Sequence, residues 1–62
     1  MENREQNMQR QEAAKARAAA AMERMAEARS EAEWNAARAD MEQACRDEVQ
    51  AVNDWNQACA RA

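Results

Sequence analysis

The sequence predicts an all-α protein folded as an antiparallel helical hairpin, with a break near residues 28–31. Three observations carry that reading. Strong helix formers dominate, without a single Gly or Pro. Two stripes of residues run along the chain at alternating four- and three-residue intervals, out of phase with each other. A lone serine stands where the phase changes.

Composition comes first. Ala (18), Glu (9), Arg (8) and Lys (1) fill more than half of the 62 residues, the signature of a long helix or coiled coil. Strand formers amount to two Val and two Trp, too few for a sheet. Ala also supplies most of the apolar 47%. Only eleven side chains (five Met, two Trp, two Val, two Cys) can fill space. A single unit spanning residues 1–62 follows. So little bulk makes an isolated monomer marginal, so the hairpin is expected to dimerise into a four-helix bundle, to dock on a larger protein, or both. Disorder of the free chain is the rival reading, and high helix propensity speaks against it.

The first helix is expected over about residues 3–28. Asn3 and Gln6 have the spacing of an N-terminal cap with its reciprocal partner. From Ala14 an inward stripe runs through Ala18, Ala21, Met25, Ala28 and Ala32. Its small residues suit close helix approach. Met1, Met8 and Met22 share a neighbouring heptad position, where flexible core filling is the expected role.

The second helix is expected over about residues 31–61. Its stripe reads Trp34, Arg38, Met41, Cys45, Glu48, Val52, Trp55, Cys59 and Ala62. Carrying the first stripe forward in heptads predicts 42 and 49 with 46 and 53, so the second arrives one residue early. An uninterrupted helix would rotate its contact face by about 100° there. Ser30 and Glu33 mark the joint as a capping box, with the carboxylate expected to return to the Ser30 N–H. The missing C-cap Gly or Asn favours the alternative, one long continuous helix in a coiled coil. Asn53-Asp54-Trp55-Asn56 reads as a solvated helical face with Trp55 inward.

Folding back at the joint sets partners whose numbers sum to about 59. Met25 then meets Trp34, Ala18 meets Met41, Ala14 meets Cys45, Gln11 meets Glu48 and Asn7 meets Val52, while Arg4 lies near the Trp55 indole.

Function classes narrow by what is missing. There is no His, Tyr or Thr, one Ser at a cap, and no Gly-rich phosphate loop, so no catalytic constellation and no cofactor site is expected. Two Cys fourteen apart without His do not assemble a metal site. Cys45 and Cys59 read first as buried thiols in a reducing cytosol. Second, they read as bridges between chains paired antiparallel about Val52; an intrachain bond needs a turn near 52–55. Arg10, Arg17 and Arg24 recur every seven residues, with Arg38 at the same position further on. This ridge is a solvated face or a contact for an anion, phosphate or carboxylate. The net charge of −3, divided as +1 over residues 1–30 and −4 over 31–62, disfavours general nucleic-acid binding.

The expected function is therefore that of a small non-enzymatic interaction module. It would cover or bridge a partner protein through Trp34, Met41, Cys45, Val52, Trp55 and Cys59. By analogy, an inhibitor of a host protein carried by a phage or mobile element fits the size and acidity. The alternatives are a structural coiled-coil subunit and a nucleic-acid accessory protein. No apolar leader and no membrane-length apolar run is visible. The default location is the cytoplasm of a bacterial or phage-infected cell, an association strengthened by abundant Ala and by Arg outnumbering Lys eight to one.

Overall fold

Asn3 starts the chain on its helical course. The computed structural model describes residues 3–61; Met1, counted above in the methionine line, and Ala62, at the end of the second stripe, lie outside them. Asn3 is extended (φ −89°, ψ 173°) and its side chain accepts the Gln6 N–H at 2.8 Å, while the Gln6 side chain accepts the Asn3 N–H at 3.1 Å. Two helix-end donors are satisfied reciprocally. Helix α1 then runs Arg4–Glu27 and helix α2 runs Glu31–Arg61. They pack antiparallel into a rod of 49 × 15 × 13 Å. Neither helix is long and apolar enough to cross a membrane.

The joint uses three residues. Ala28 leaves α1 in an extended conformation (φ −62°, ψ 133°), its N–H still donating to the Met25 carbonyl at 3.3 Å. Ser30 then caps α2: its hydroxyl accepts the Glu33 N–H at 3.1 Å and its carbonyl the Trp34 N–H at 3.0 Å. The Glu33 carboxylate returns to the N–H of Arg29, at 2.8 Å, one residue upstream of the Ser30 N–H expected from the capping box. The reason is local. Arg29 has left α1, and its N–H finds no backbone carbonyl in the joint. Ser30→Ala removes the acceptor for one helix-end donor; it is expected to cost about 1 kcal/mol, read as a lower midpoint in thermal unfolding followed by circular dichroism.

Burial shows which faces meet. Ala14, Ala18 and Ala21 of α1 and Ala37, Ala44 and Ala51 of α2 are buried, together with Asn7. The α1 stripe is the one read from the sequence as far as Ala28, with Met25 and Ala28 half-buried, whereas Ala32 falls in α2 and is exposed. On α2 the structure corrects the phase. Trp34, Met41, Glu48 and Trp55 keep their seam positions, half-buried except Trp34, but the line between them is Ala37, Ala44 and Ala51, not Arg38, Cys45 and Val52. Cys45 and Cys59 are exposed, so the expectation of buried thiols does not hold. Likewise Asn7 meets Ala51, donating from Nδ2 to its carbonyl at 2.8 Å, and not Val52. The physical cause is the smallness of α1. Alanine on one helix brings the backbones together only if the opposing line is equally small. At the level that pairs Asn7 with Ala51, heptad steps place Ala14 beside Ala44 and Ala21 beside Ala37.

Within this seam Asn7 also accepts from Gln11 Nε2 at 2.7 Å. No buried side-chain polar atom among the described residues lacks a hydrogen-bond partner. A buried methyl contributes only about 0.8 kcal/mol, so six alanines hold the helices together weakly for their length.

Candidate interaction surface

The buried line divides each helix into two flanks. On α2 the aspartates Asp40, Asp47 and Asp54 each follow a buried alanine by three residues, about 60° to one side, whereas Arg38, Cys45 and Val52 follow by one, about 100° to the other. On α1, Arg10, Arg17 and Arg24 follow Asn7, Ala14 and Ala21 by three, while Met8, Lys15 and Met22 follow by one. Ion pairs settle which flanks share a face of the rod. Arg10 bonds Asp54 at 3.2 Å, Arg17 bonds Asp47 at 2.5 Å, and Arg24 bonds Asp40. The opposite face therefore gathers Met8, Lys15 and Met22 with Arg38, Cys45, Val52 and Cys59.

The charged face is a ladder with a seven-residue repeat on both rails. Gln43 and Gln50 repeat with it, donating to Asp47 at 3.0 Å and Asp54 at 2.8 Å from one turn earlier on α2. The hydrogen bond from Arg17, followed by that from Gln43, holds the Asp47 carboxyl below the ordinary aspartate value of 3.8. For Asp54 the larger cause is Gln50, then Arg10. Both groups are more acidic folded than unfolded. Their contribution to stability is thus complete above the ordinary value and is lost as pH falls through the lowered one. The chain is expected to lose thermal stability below about pH 4, and Asp47→Asn with Asp54→Asn to flatten that part of the curve in melting scans across pH.

The ladder also accounts for the arginine ridge. Arg10, Arg17 and Arg24 do contact anionic groups, and those groups belong to the chain itself. Arg38, on the second helix, is separate from the ridge: it pairs with Glu42 at 3.0 Å and its guanidinium lies 5.5 Å from the centre of the Trp34 ring. Arg4 makes no such contact with Trp55. Sequence reasoning passed over Asp40, Asp47 and Asp54. Their signal was present, since they are the chain's only aspartates and recur every seven residues.

The other face is apolar and open. Val52 is 36% exposed, Trp34 37%, Met8 48%, Met22 52% and Val49, further round the helix, 58%. Both thiols lie here, exposed and unbridged. Of the six residues singled out for a partner, Cys45, Val52, Cys59 and Trp34 are outward, while Met41 and Trp55 are half-buried along the seam. Two ion pairs interrupt the face: Lys15 with Glu48 at 3.6 Å, and Arg38 with Glu42. Ser30 and Glu33 stay at the joint as a cap. Among the described residues no cluster of three His, Cys, Asp or Glu side chains forms a metal-binding group.

Compared with known protein families, with curated proteins and with solved structures, the chain matches none.

Proposed function

We propose that this hairpin is a small non-enzymatic interaction module that docks on a partner protein through its Met8–Val52 face while the arginine–aspartate face stays in water. One observation carries the reading: the bulky apolar side chains gather on the side of the rod opposite the Arg10–Asp54, Arg17–Asp47 and Arg24–Asp40 ladder. A chain with eleven space-filling side chains leaves Trp34, Val49, Val52, Met8 and Met22 substantially outside its own seam. Apolar side chains grouped and rimmed by paired charges mark association surfaces, and aromatic anchors carry much of the binding energy at such surfaces. The mechanism is occupancy, with nothing transferred and nothing bound in a pocket. Nucleic acid is a poorer fit, since Arg10, Arg17 and Arg24 are each engaged by an aspartate of the same chain.

The test is site-specific photo-crosslinking in cells that make the chain. A photoreactive aromatic residue at position 52 or 49 is expected to capture a discrete protein. The same residue at Ala20, between Arg17 and Arg24 on the ladder face, is expected to capture none. Equal capture from both faces, or capture from Ala20 alone, overturns the proposal.

A further inference from the structure

Resting on that docking face, we infer that its partner is a second copy of this chain, with α2 laid antiparallel on the partner's α2 about a two-fold axis at Val52. The distribution of charge along the face selects this centre. Cys45, Val49, Val52, Asn56 and Cys59, on the outward flank of α2, carry no formal charge over two heptads, and the acidic group beside them, Glu48, is paired with Lys15 of the same chain. Toward the joint the same flank carries Arg38 and Glu42. An axis at Val52 sets the uncharged stretch on itself and leaves Arg38 and Glu42 outside the overlap. An axis one heptad earlier, at Cys45, would set Val52 against the second copy's Arg38.

Spacing supplies a second argument. Cys45 and Cys59 stand seven residues either side of Val52, at the same heptad position. Two-fold pairing about Val52 therefore brings each Cys45 level with the other copy's Cys59, twice. Within one chain the two are about 21 Å apart along a continuous helix, far beyond the ~7 Å between Cα atoms that a disulfide spans. The third argument is the weakness of the seam. Among the described residues the seam fully buries no apolar side chain larger than alanine, so the hairpin gains from further apolar burial, and an identical chain is the partner present wherever this one is made. Isologous pairing of one patch with itself is also the commonest way soluble chains associate.

Sedimentation equilibrium of the reduced chain, together with the rate of thiol alkylation, tests this. The expected result is twice the monomer mass of 7.0 kDa, with both thiols alkylated more slowly than in the dissociated variant Val52→Glu. Oxidised glutathione then serves as a ruler. Each bridge forms as two thiols give up two protons and two electrons, and the glutathione disulfide leaves as two glutathione thiols. Trypsin places Cys45 and Cys59 in different peptides, because Arg46 lies between them. A covalent dimer linking peptide 39–46 to peptide 47–61 is expected. Dimers bridged Cys45 to Cys45 or Cys59 to Cys59 overturn the register. A monomer with fast-reacting thiols overturns self-pairing and leaves the docking face available to another protein. A dimer whose thiols react as fast as those of Val52→Glu joins through some other surface and overturns the docking face as well.

Discussion

Asn7→Asp is expected to unfold the hairpin at neutral pH. Asn7 is 1% exposed and its Nδ2 donates to the Ala51 carbonyl at 2.8 Å. A carboxylate in that place offers an oxygen to the Ala51 carbonyl oxygen. Setting a buried carboxylate against a carbonyl oxygen is expected to cost about 3–5 kcal/mol, a large share of what so small a protein can hold. The sign with pH is definite. Burial disfavours the ionised form and raises the carboxyl above its ordinary range, so stability returns as pH falls through the raised value and the acid proton can donate to Ala51. Thermal melts at about pH 7 and about pH 5, the latter still above the ordinary aspartate value, check this. A variant equally stable at both would show that Asn7 is not sealed in the seam. Asn7→Ala is the milder control: it removes the bonds to Ala51 and from Gln11, each worth about 0.5–1.5 kcal/mol, without burying a charge.

Ala44→Leu is expected to be the most disruptive apolar exchange. Ala44 and Ala14 are each 1% exposed and stand at the same level on opposite helices, so added methylenes have no hole to enter. Overpacking of this kind costs about 1–3 kcal/mol, and here it also separates the helices and strains the Asn7–Ala51 bond. The neighbouring exchange, Cys45→Leu, puts the same side chain on an exposed position; with both exchanges made in the Val52→Glu background, where copies do not pair, it should leave the melting midpoint of the hairpin nearly unchanged. Measured side by side, the two decide the phase of α2. Equal loss of stability, or greater loss at Cys45, would put the seam one residue later than the structure has it.

That one-residue difference is where sequence reasoning failed, and the cause is instructive. Heptad reading weights bulk and collects Trp34, Cys45, Val52, Trp55 and Cys59 into one inward stripe. Trp34 and Trp55 do lie on the seam line, but alanine has the inward places between them, because an alanine helix opposite accepts only small residues at close approach. Hydropathy barely distinguishes Ala44 from Cys45, and no rule of period alone separates two adjacent lines when one is small and the other large. The position of the break was legible, since a change of phase and a lone Ser followed by Glu three residues on both fall at residue 30. The candidate surface was legible as a set of residues but not as a face. Its boundary is drawn by the ladder, and Asp40, Asp47 and Asp54 had gone unread as the complement of Arg10, Arg17 and Arg24.

The reversal at Ala28–Ser30 has a consequence for how this chain tolerates change. No described residue adopts a positive φ, so the chain doubles back through angles open to every L-amino acid. Stereochemistry thus demands no glycine at the bend, and positions 28 and 29 ask for no special backbone angles so long as their N–H groups are kept and a hydroxyl or short acceptor follows them. The directional information is stored elsewhere, in contacts spread along some forty ångströms of paired rod, roughly the length that α1 spans at 1.5 Å per residue.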